Sequence, residues 1–352
     1  MSLNHWKSVL CSILFLAAPG FAADKDQLAY CSYVMEQAQA QRDLLRTPIA
    51  DAGMTQPETG LPLQLVGGAS LGLSGLRKAS LTMDVARKNC ELYKATSWAQ
   101  QDIQYALPSL EREALRNRLA LLEQASTSLD AIMEKTAKMV DAKDATRLML
   151  FTLQTTKIKL DADHADTQAK IAALYAPPLR DKPLKELVAQ KQSSEASEQK
   201  ALDKLTRQNN WDVALSVGVH QQFNPVAYGA QPYGAVSINY NLASRAINKH
   251  LDRAADAYDE WKQVQEGDVI RNMEVLRQQL LDSATAQETK LKSLQAESGQ
   301  IEKNLQLVGD PDTSAAFDFH NQLTAAQLLL QVEAGDASFR LDRLRQYLAK
   351  NY

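Results

Sequence analysis

One stretch of this chain can be laid over another at a fixed offset of about 168 residues, and the match runs through every kind of element between them. Leu73-Ser74-Gly75 followed by Arg77 sits against Leu242-Ala243-Ser244 followed by Arg245. Met83-Asp84-Val85-Ala86 falls on Leu251-Asp252-Arg253-Ala254, and Tyr93 on Trp261. Met139-Val140 falls on Leu307-Val308, Asp144-Ala145-Thr146 on Asp312-Thr313-Ser314, Phe151 on Phe319, Gln154 on Gln322 and Leu160 on Leu328. A period this long is not a solenoid tile, so each copy is a large hairpin unit. The fold is expected to be two similar halves, 24–176 and 177–352, each reading helix, β-hairpin, long helix, tight turn and returning helix.

The first 23 residues follow the pattern of an export signal. Lys7 precedes an apolar run from Val9 to Ala18, and small residues up to Ala23 stand before Asp24. The apolar run is too short to span a bilayer, and no later segment reaches about 18 consecutive apolar residues. Removing the signal takes Lys7 from the 39 basic residues and leaves 38 against 42 acidic ones. This balance excludes nucleic acid as the main partner. Two cysteines remain, Cys31 and Cys90. In an oxidising compartment they are either a disulfide or two separate packing thiols, and one sequence leaves both open.

Glycine and proline cluster at 53–75, 176–183 and 218–234, where the non-helical structure is expected. Residues 25–48 read as a helix, 49–60 as a loop, and 61–74 as a short β-hairpin turning at Gly67-Gly68. A helix is expected over 83–140 with a kink at Pro108. Its seam Leu115, Leu119, Leu122, Ser126, Leu129, Met133, Thr136 and Val140 alternates spacings of four and three, a coiled-coil pattern diluted by small polar residues. Asp144 can cap a returning helix over 144–175. A helix over 184–208 opens the second half. Strands follow at 211–222 and 233–242, then a helix over 243–308, and one capped by Asp312 over 313–349. In this reading the second half keeps a longer β pair and an unbroken helix. The first half has a shortened hairpin and an internal proline.

No nucleophile–base pair, zinc spacing or phosphate loop is present, so no catalytic, cofactor-binding or metal residues are assigned and no enzyme is expected. Gly67-Gly68 to Gly75 lacks the Lys-Ser/Thr of a phosphate loop and reads as tight backbone. Asp161, Asp163, His164 and Asp166 look like metal ligands, but on a helix Asp161 points away from Asp163 and Asp166, and a solvated face is the simpler reading. Tyr93 and Trp261, matched across the repeat, read as packing anchors beside the β region.

The strand-to-helix junction Ser237-Ile238-Asn239-Tyr240-Asn241-Leu242-Ala243-Ser244-Arg245 and the turn Leu307-Val308-Gly309-Asp310-Pro311-Asp312, in this order of elements, resemble the TolC family of outer-membrane efflux proteins. Asn241 stands where that family has proline. The resemblance implies a mainly α fold: long antiparallel coiled-coil helices in two repeats, each with a β-hairpin. Three chains would pool their helices into a hollow α-barrel and their strands into a β-barrel, reduced if the first hairpin is short. It implies no cofactor, a homotrimer in the outer membrane and periplasm, and partners in a periplasmic adaptor and an inner-membrane transporter. The adaptor would meet the turns carrying Asp141, Lys143, Asp144, Gly309, Asp310 and Asp312. The alternative is a TolC-derived periplasmic scaffold whose reduced β region forms no pore.

Overall fold

The computed structural model of the chain describes residues 21–55, 64–208, 210–222, 229–264, 268–309 and 313–352. Most of the export-signal segment 1–23 lies outside the described residues. The elements run α1 (Phe21–Arg46), β1 (Ile49–Thr55), β2 (Gln64–Gly72), α2 (Leu73–Asp141), α3 (Arg147–Ala173), α4 (Leu184–Gln208), β3 (Trp211–Gln222), β4 (Ala230–Tyr240), α5 (Ser244–Val264), α6 (Val269–Val308) and α7 (Ser314–Asn351). The order helix, strand, strand, long helix, helix occurs twice, with α5 and α6 standing where the first half has α2. The fold is mainly α, with one small antiparallel sheet.

The chain forms two compact units, and each draws on both sequence halves. One unit takes the residues up to Lys94 together with Glu198–Asn241. It holds α1, the start of α2, the end of α4, and one four-stranded sheet in the order β1-β2-β3-β4, antiparallel throughout. The two hairpins are thus neighbours in a single sheet. Cys31 of α1 and Cys90 of α2 form a disulfide, with Cα atoms 5.1 Å apart. Beside it the Tyr30 and Tyr93 rings stack at 3.9 Å, Tyr30 donates to Asn89, and Tyr93 donates to the Asp26 carboxylate. Burial, reinforced by that carboxylate, raises the Tyr93 phenol well above its ordinary pKa. The side chain of Trp261, its repeat counterpart, lies outside the described residues.

The second unit comprises Ala95–Ser197 and Leu242–Tyr352. Its helices bury two apolar clusters. One is built around Leu184, Leu187, Val269, Leu276 and Leu280, the other around Leu122, Leu129, Met149, Leu153 and Leu160. Polar members of the seam are satisfied across helices. Buried Thr136 accepts from Asn321 Nδ2 at 3.2 Å, which removes the cost of placing both groups in the interior. On the flank, Arg118 of α2 pairs with Glu333 at 2.6 Å and lies 3.5 Å from buried Asp336, while Arg340 pairs with Glu111 and Asp336. Burial alone would raise the Glu333 carboxyl, but hydrogen bonds from Arg118 and Lys290 outweigh it and hold the pKa below its ordinary value.

The elements depart from the sequence reading at four places. Residues 49–60 were expected to loop and 61–74 to form a hairpin turning at Gly67-Gly68. Instead Ile49–Thr55 is a strand, and both glycines lie inside β2, paired with Ala52 and Asp51 on one side and Val219 and Gly218 on the other. Neither has the positive φ that a tight hairpin turn needs; among the described glycines only Gly229 and Gly309 have it. The second departure is α2, which starts ten residues before the expected Met83. Its first turns carry small residues because α1 approaches closely: a Cβ on Gly75 would lie 2.6 Å from the Leu45 carbonyl oxygen, and Ala79 is fully buried. Close packing replaced the large apolar residues that periodicity reads.

The third departure inverts the helical part of the expected asymmetry, while β3 and β4 are the longer pair as expected. α2 is one helix of 69 residues that runs through Pro108. The expected single helix 243–308 is instead α5 and α6, and Asp268 caps α6 in an extended conformation (φ −68°, ψ 139°). The Asp268 side chain makes no hydrogen bond to its own helix, because Lys191 of α4 holds its carboxylate at 3.2 Å and Glu195 at 3.0 Å. The fourth concerns caps. Asp144 does not cap α3; the Thr146 hydroxyl does, accepting from Met149 N at 3.3 Å. Asp312 lies outside the described residues, and the cap of α7 is Thr313, accepting from Ala316 N at 3.2 Å.

Candidate functional site

Because side chains alternate along a strand and directly opposed residues share a face, the register of the sheet sorts its residues into two sets. Trp211, Val213, Leu215, Val217 and Val219 of β3 lie opposite Tyr240, Ile238, Val236, Gly234 and Pro232 of β4. On the other side, Leu215, Val217 and Val219 lie opposite Leu71, Ala69 and Gly67, while Ala69, Gly67 and Leu65 of β2 oppose Ala50, Ala52 and Met54 of β1. One face is therefore apolar across all four strands, with Gln221 as its single polar member at the far end, opposite Leu65 and Ala230. Gln222 belongs to the other set, opposite Gln64.

This face is open. Val236 and Ile238 keep 65% and 66% of their surface, Met54 keeps 69% and Val217 keeps 55%. A water-facing sheet would bury such a row; a contiguous apolar patch left uncovered marks a contact surface. At its helix-proximal end the Trp211 and Tyr240 rings face each other at 4.5 Å. The opposite face carries Asp51, Ser70, Asp212, Ser216, His220, Tyr233 and Asn239. The Ser74 hydroxyl, on the first turn of α2, donates to the Asp212 carboxylate and ties β3 to that helix.

Two glycines shape the sheet. A Cβ on Gly218 would lie 2.5 Å from the Gly67 oxygen and 2.8 Å from both Gly68 Cα and Tyr233 Cε1. A Cβ on Gly68 would meet the Val217 oxygen at 2.7 Å. The two strands approach so closely here that only hydrogen fits, and the Tyr233 ring lies over the pair, as an aromatic does over a glycine kink. Sequence reasoning took Gly68 as a turn residue and attached nothing to Gly218. The available signal was that both sit in otherwise alternating strands.

The turns assigned to a partner come apart into two cases. At the end of α2, Lys143 N donates to Val140 O and Asp144 N to Met139 O, the paired bonds of a Schellman ending, with Lys143 at φ 67° in the position usually held by glycine. Asp141 and Asp144 flank it on the surface. At the end of α6, Gly309 is the C-cap at φ 55°, its N–H donating to Leu305 O, and Asp310 and Asp312 lie outside the described residues. Thr146 links α3 to α7 by donating to Asp318 at 2.8 Å. A left-handed lysine costs about 1 kcal/mol relative to glycine. Lys143→Gly is therefore expected to hold or raise the melting temperature while removing the ammonium. A fall of several degrees would mean that the side chain itself holds the turn.

Asp161, Asp163, His164 and Asp166 do not converge. They pair with Lys157, Arg118, Glu123 and Lys170 respectively. Among the described residues no group of three or more acidic, histidine or cysteine side chains could hold a metal. No described helix is long and apolar enough to cross a membrane.

No family model matches the chain, and no curated protein matches it significantly. Solved structures do. The open-state outer membrane channel MtrE of Neisseria gonorrhoeae is 13% identical with a TM-score of 0.45, over 92% of this chain and 85% of that one. The outer membrane protein VceC of Vibrio cholerae is 14% identical with a TM-score of 0.39, over 94% and 93%. The Campylobacter jejuni outer membrane channel CmeC is 10% identical with a TM-score of 0.36, over 91% and 82%. In its order of elements the chain has the fold that the resemblance implies. Its single sheet has one open apolar face and two edge strands, β1 and β4.

Proposed function

We propose that the protein is the outer-membrane channel component of a tripartite efflux or secretion system, a passive conduit across the periplasm and outer membrane. The observation that carries this is the exposed apolar face spanning all four strands, backed by a polar face. That is the alternation of a transmembrane β-barrel wall, apolar toward lipid and polar toward a water-filled lumen.

A four-stranded sheet cannot close on itself, and among the described residues β1 and β4 are its edge strands, each with one side that no strand covers. In the order β1-β2-β3-β4 the edge strands run in opposite directions, so β4 of one copy can pair antiparallel with β1 of the next all the way round a ring. Three copies give a twelve-stranded barrel, an even number as such barrels require. β3 and β4, at 12 and 11 residues, meet the 9–11 residues that a tilted strand needs to span a bilayer, and β2, at nine, reaches it. Trp211 and Tyr240 supply an interfacial aromatic pair. The long helices would then line a periplasmic channel whose turns, with Asp141, Lys143, Asp144, Gly309, Asp310 and Asp312, meet an adaptor and through it an inner-membrane transporter.

A periplasmic scaffold without a pore is the second reading, and the seven residues of β1 favour it. Fractionation separates the two. A heat-modifiable trimer in the outer-membrane fraction is expected. Release of the protein as a soluble species by osmotic shock would overturn the channel reading.

A further inference from the structure

A polar cavity of about 290 Å³ lies between α2, α3 and α7, where helices of the first half meet the last helix of the second. Asp336 of α7 lines it and is only 3% exposed. Its Oδ2 accepts from Arg340 Nε at 3.0 Å, but its buried Oδ1 has no hydrogen-bond donor among the described residues. A buried carboxylate oxygen without a donor is costly, and folded proteins complete such a group with water or a ligand. The cations around the cavity are already engaged. Lys170 pairs with Asp166 at 2.6 Å, Arg340 with Glu111, and Arg118 most closely with Glu333 at 2.6 Å, which Lys290 also holds at 2.7 Å. Five carboxylates thus face four cations. The surplus negative charge falls on Asp336 and on exposed Asp163, which Arg118 approaches only to 3.8 Å.

We propose that this cavity binds a short aliphatic diamine, one ammonium anchored on Asp336 and the other on Asp163. Only one oxygen of Asp336 is free, so a guanidinium fork finds no place for its second N–H, whereas an ammonium is a compact point charge with three donors. Thr167 lines the cavity and supplies a further acceptor. Its hydroxyl donates to the Asp163 carbonyl at 2.7 Å, and its oxygen keeps lone pairs for the ligand. Leu115 gives the methylene chain an apolar wall. Arg118 approaches both Asp163 and Asp336, at 3.8 and 3.5 Å, so the two carboxylates are close enough for one short diamine to reach both. The site is built entirely from α2, α3 and α7 and does not depend on how the sheet is assembled.

The test titrates 1,4-diaminobutane into the full-length protein in detergent micelles and reads binding by isothermal calorimetry. The native protein is expected to bind it with a Kd of about 1 mM or below, in the range open to so small a ligand. Two controls are expected not to bind: 1,4-butanediol, which has the chain without the charge, and tetramethylammonium chloride, which has a charge without an N–H. Asp336→Asn is expected to weaken binding by about tenfold or more, because it removes a hydrogen bond between charged groups. Asp163→Asn, on a side chain that is 60% exposed and so tolerant of change, is expected to weaken it by about threefold or more. No binding to the native protein, equal binding of either control, or native affinity in Asp336→Asn overturns the inference and leaves the channel reading untouched. If Asp336→Asn does not fold, Asp163→Asn decides alone: the expected loss supports the site and an unchanged affinity overturns it.

Discussion

Gly218→Val is expected to abolish the four-stranded sheet and, with it, any trimer in the outer membrane. A Cβ at this position meets the Gly67 oxygen at 2.5 Å and the Gly68 Cα at 2.8 Å, both backbone atoms of the adjoining strand, so no rotamer change relieves the overlap. Its third contact, the Tyr233 ring at 2.8 Å, could swing away, but the other two require β2 and β3 to separate. Overpacking of this kind costs about 3 kcal/mol or more, and here it falls on the central ladder that joins the two hairpins. The measurement is the amount of heat-modifiable trimer together with β content by circular dichroism. Gly234→Ala is the control. It lies on the neighbouring strand, and its Cβ would meet nothing within 4 Å, so it is expected to insert normally. Equal behaviour of the two variants would show that the close approach at Gly218 is not what shapes the sheet.

The second large effect is expected from the Cys31–Cys90 bond. It closes a loop of 59 residues, and the chain entropy that such a cross-link removes from the unfolded state corresponds to about 4 kcal/mol. The double variant Cys31→Ser with Cys90→Ser is expected to melt about 6 °C lower than the native protein. Native protein treated with reductant should fall by the same amount, and each single variant should match the double. Singles that differ widely from the double would assign the effect to packing of the side chains rather than to the bond. Tyr30, Tyr93, Asp26 and Asn89 surround the same contact and keep α1 oriented on α2 when the bond is cut, so the loss should appear in stability before it appears in secondary structure. The bond also agrees with export to an oxidising compartment, where such cross-links persist.

Most of the helical architecture was legible because it is written in period. The seam from Leu115 to Val140 buries Leu115, Leu122, Leu129 and Thr136 as its spacing predicts, and 184–208 and 211–222 form the expected helix and strand. What misled was the meaning of small residues. Gly67-Gly68 reads as a turn in isolation, and only the strand lying against it shows that the two glycines make room for a neighbouring backbone. Residues 73–82 carry small residues where α2 meets α1, at the bare Gly75. The helix expected across 243–308 is divided at Asp268, whose carboxylate is held by Lys191, far away in sequence. Aspartate at 144 looks like a cap by residue type, yet Lys143 in a left-handed conformation displaces the cap to Thr146. All but the last of these are long-range contacts deciding a local choice.

By itself the sequence determined the coiled-coil seams and most of the order of elements, since these depend on periodicity and run length along the chain. Only the tertiary structure decided that the two hairpins form one sheet, that Cys31 meets Cys90, and that the apolar members of all four strands share a single open face. Those facts depend on register between segments more than a hundred residues apart, and a strand's own alternation fixes which residues go together but not which neighbour they go against.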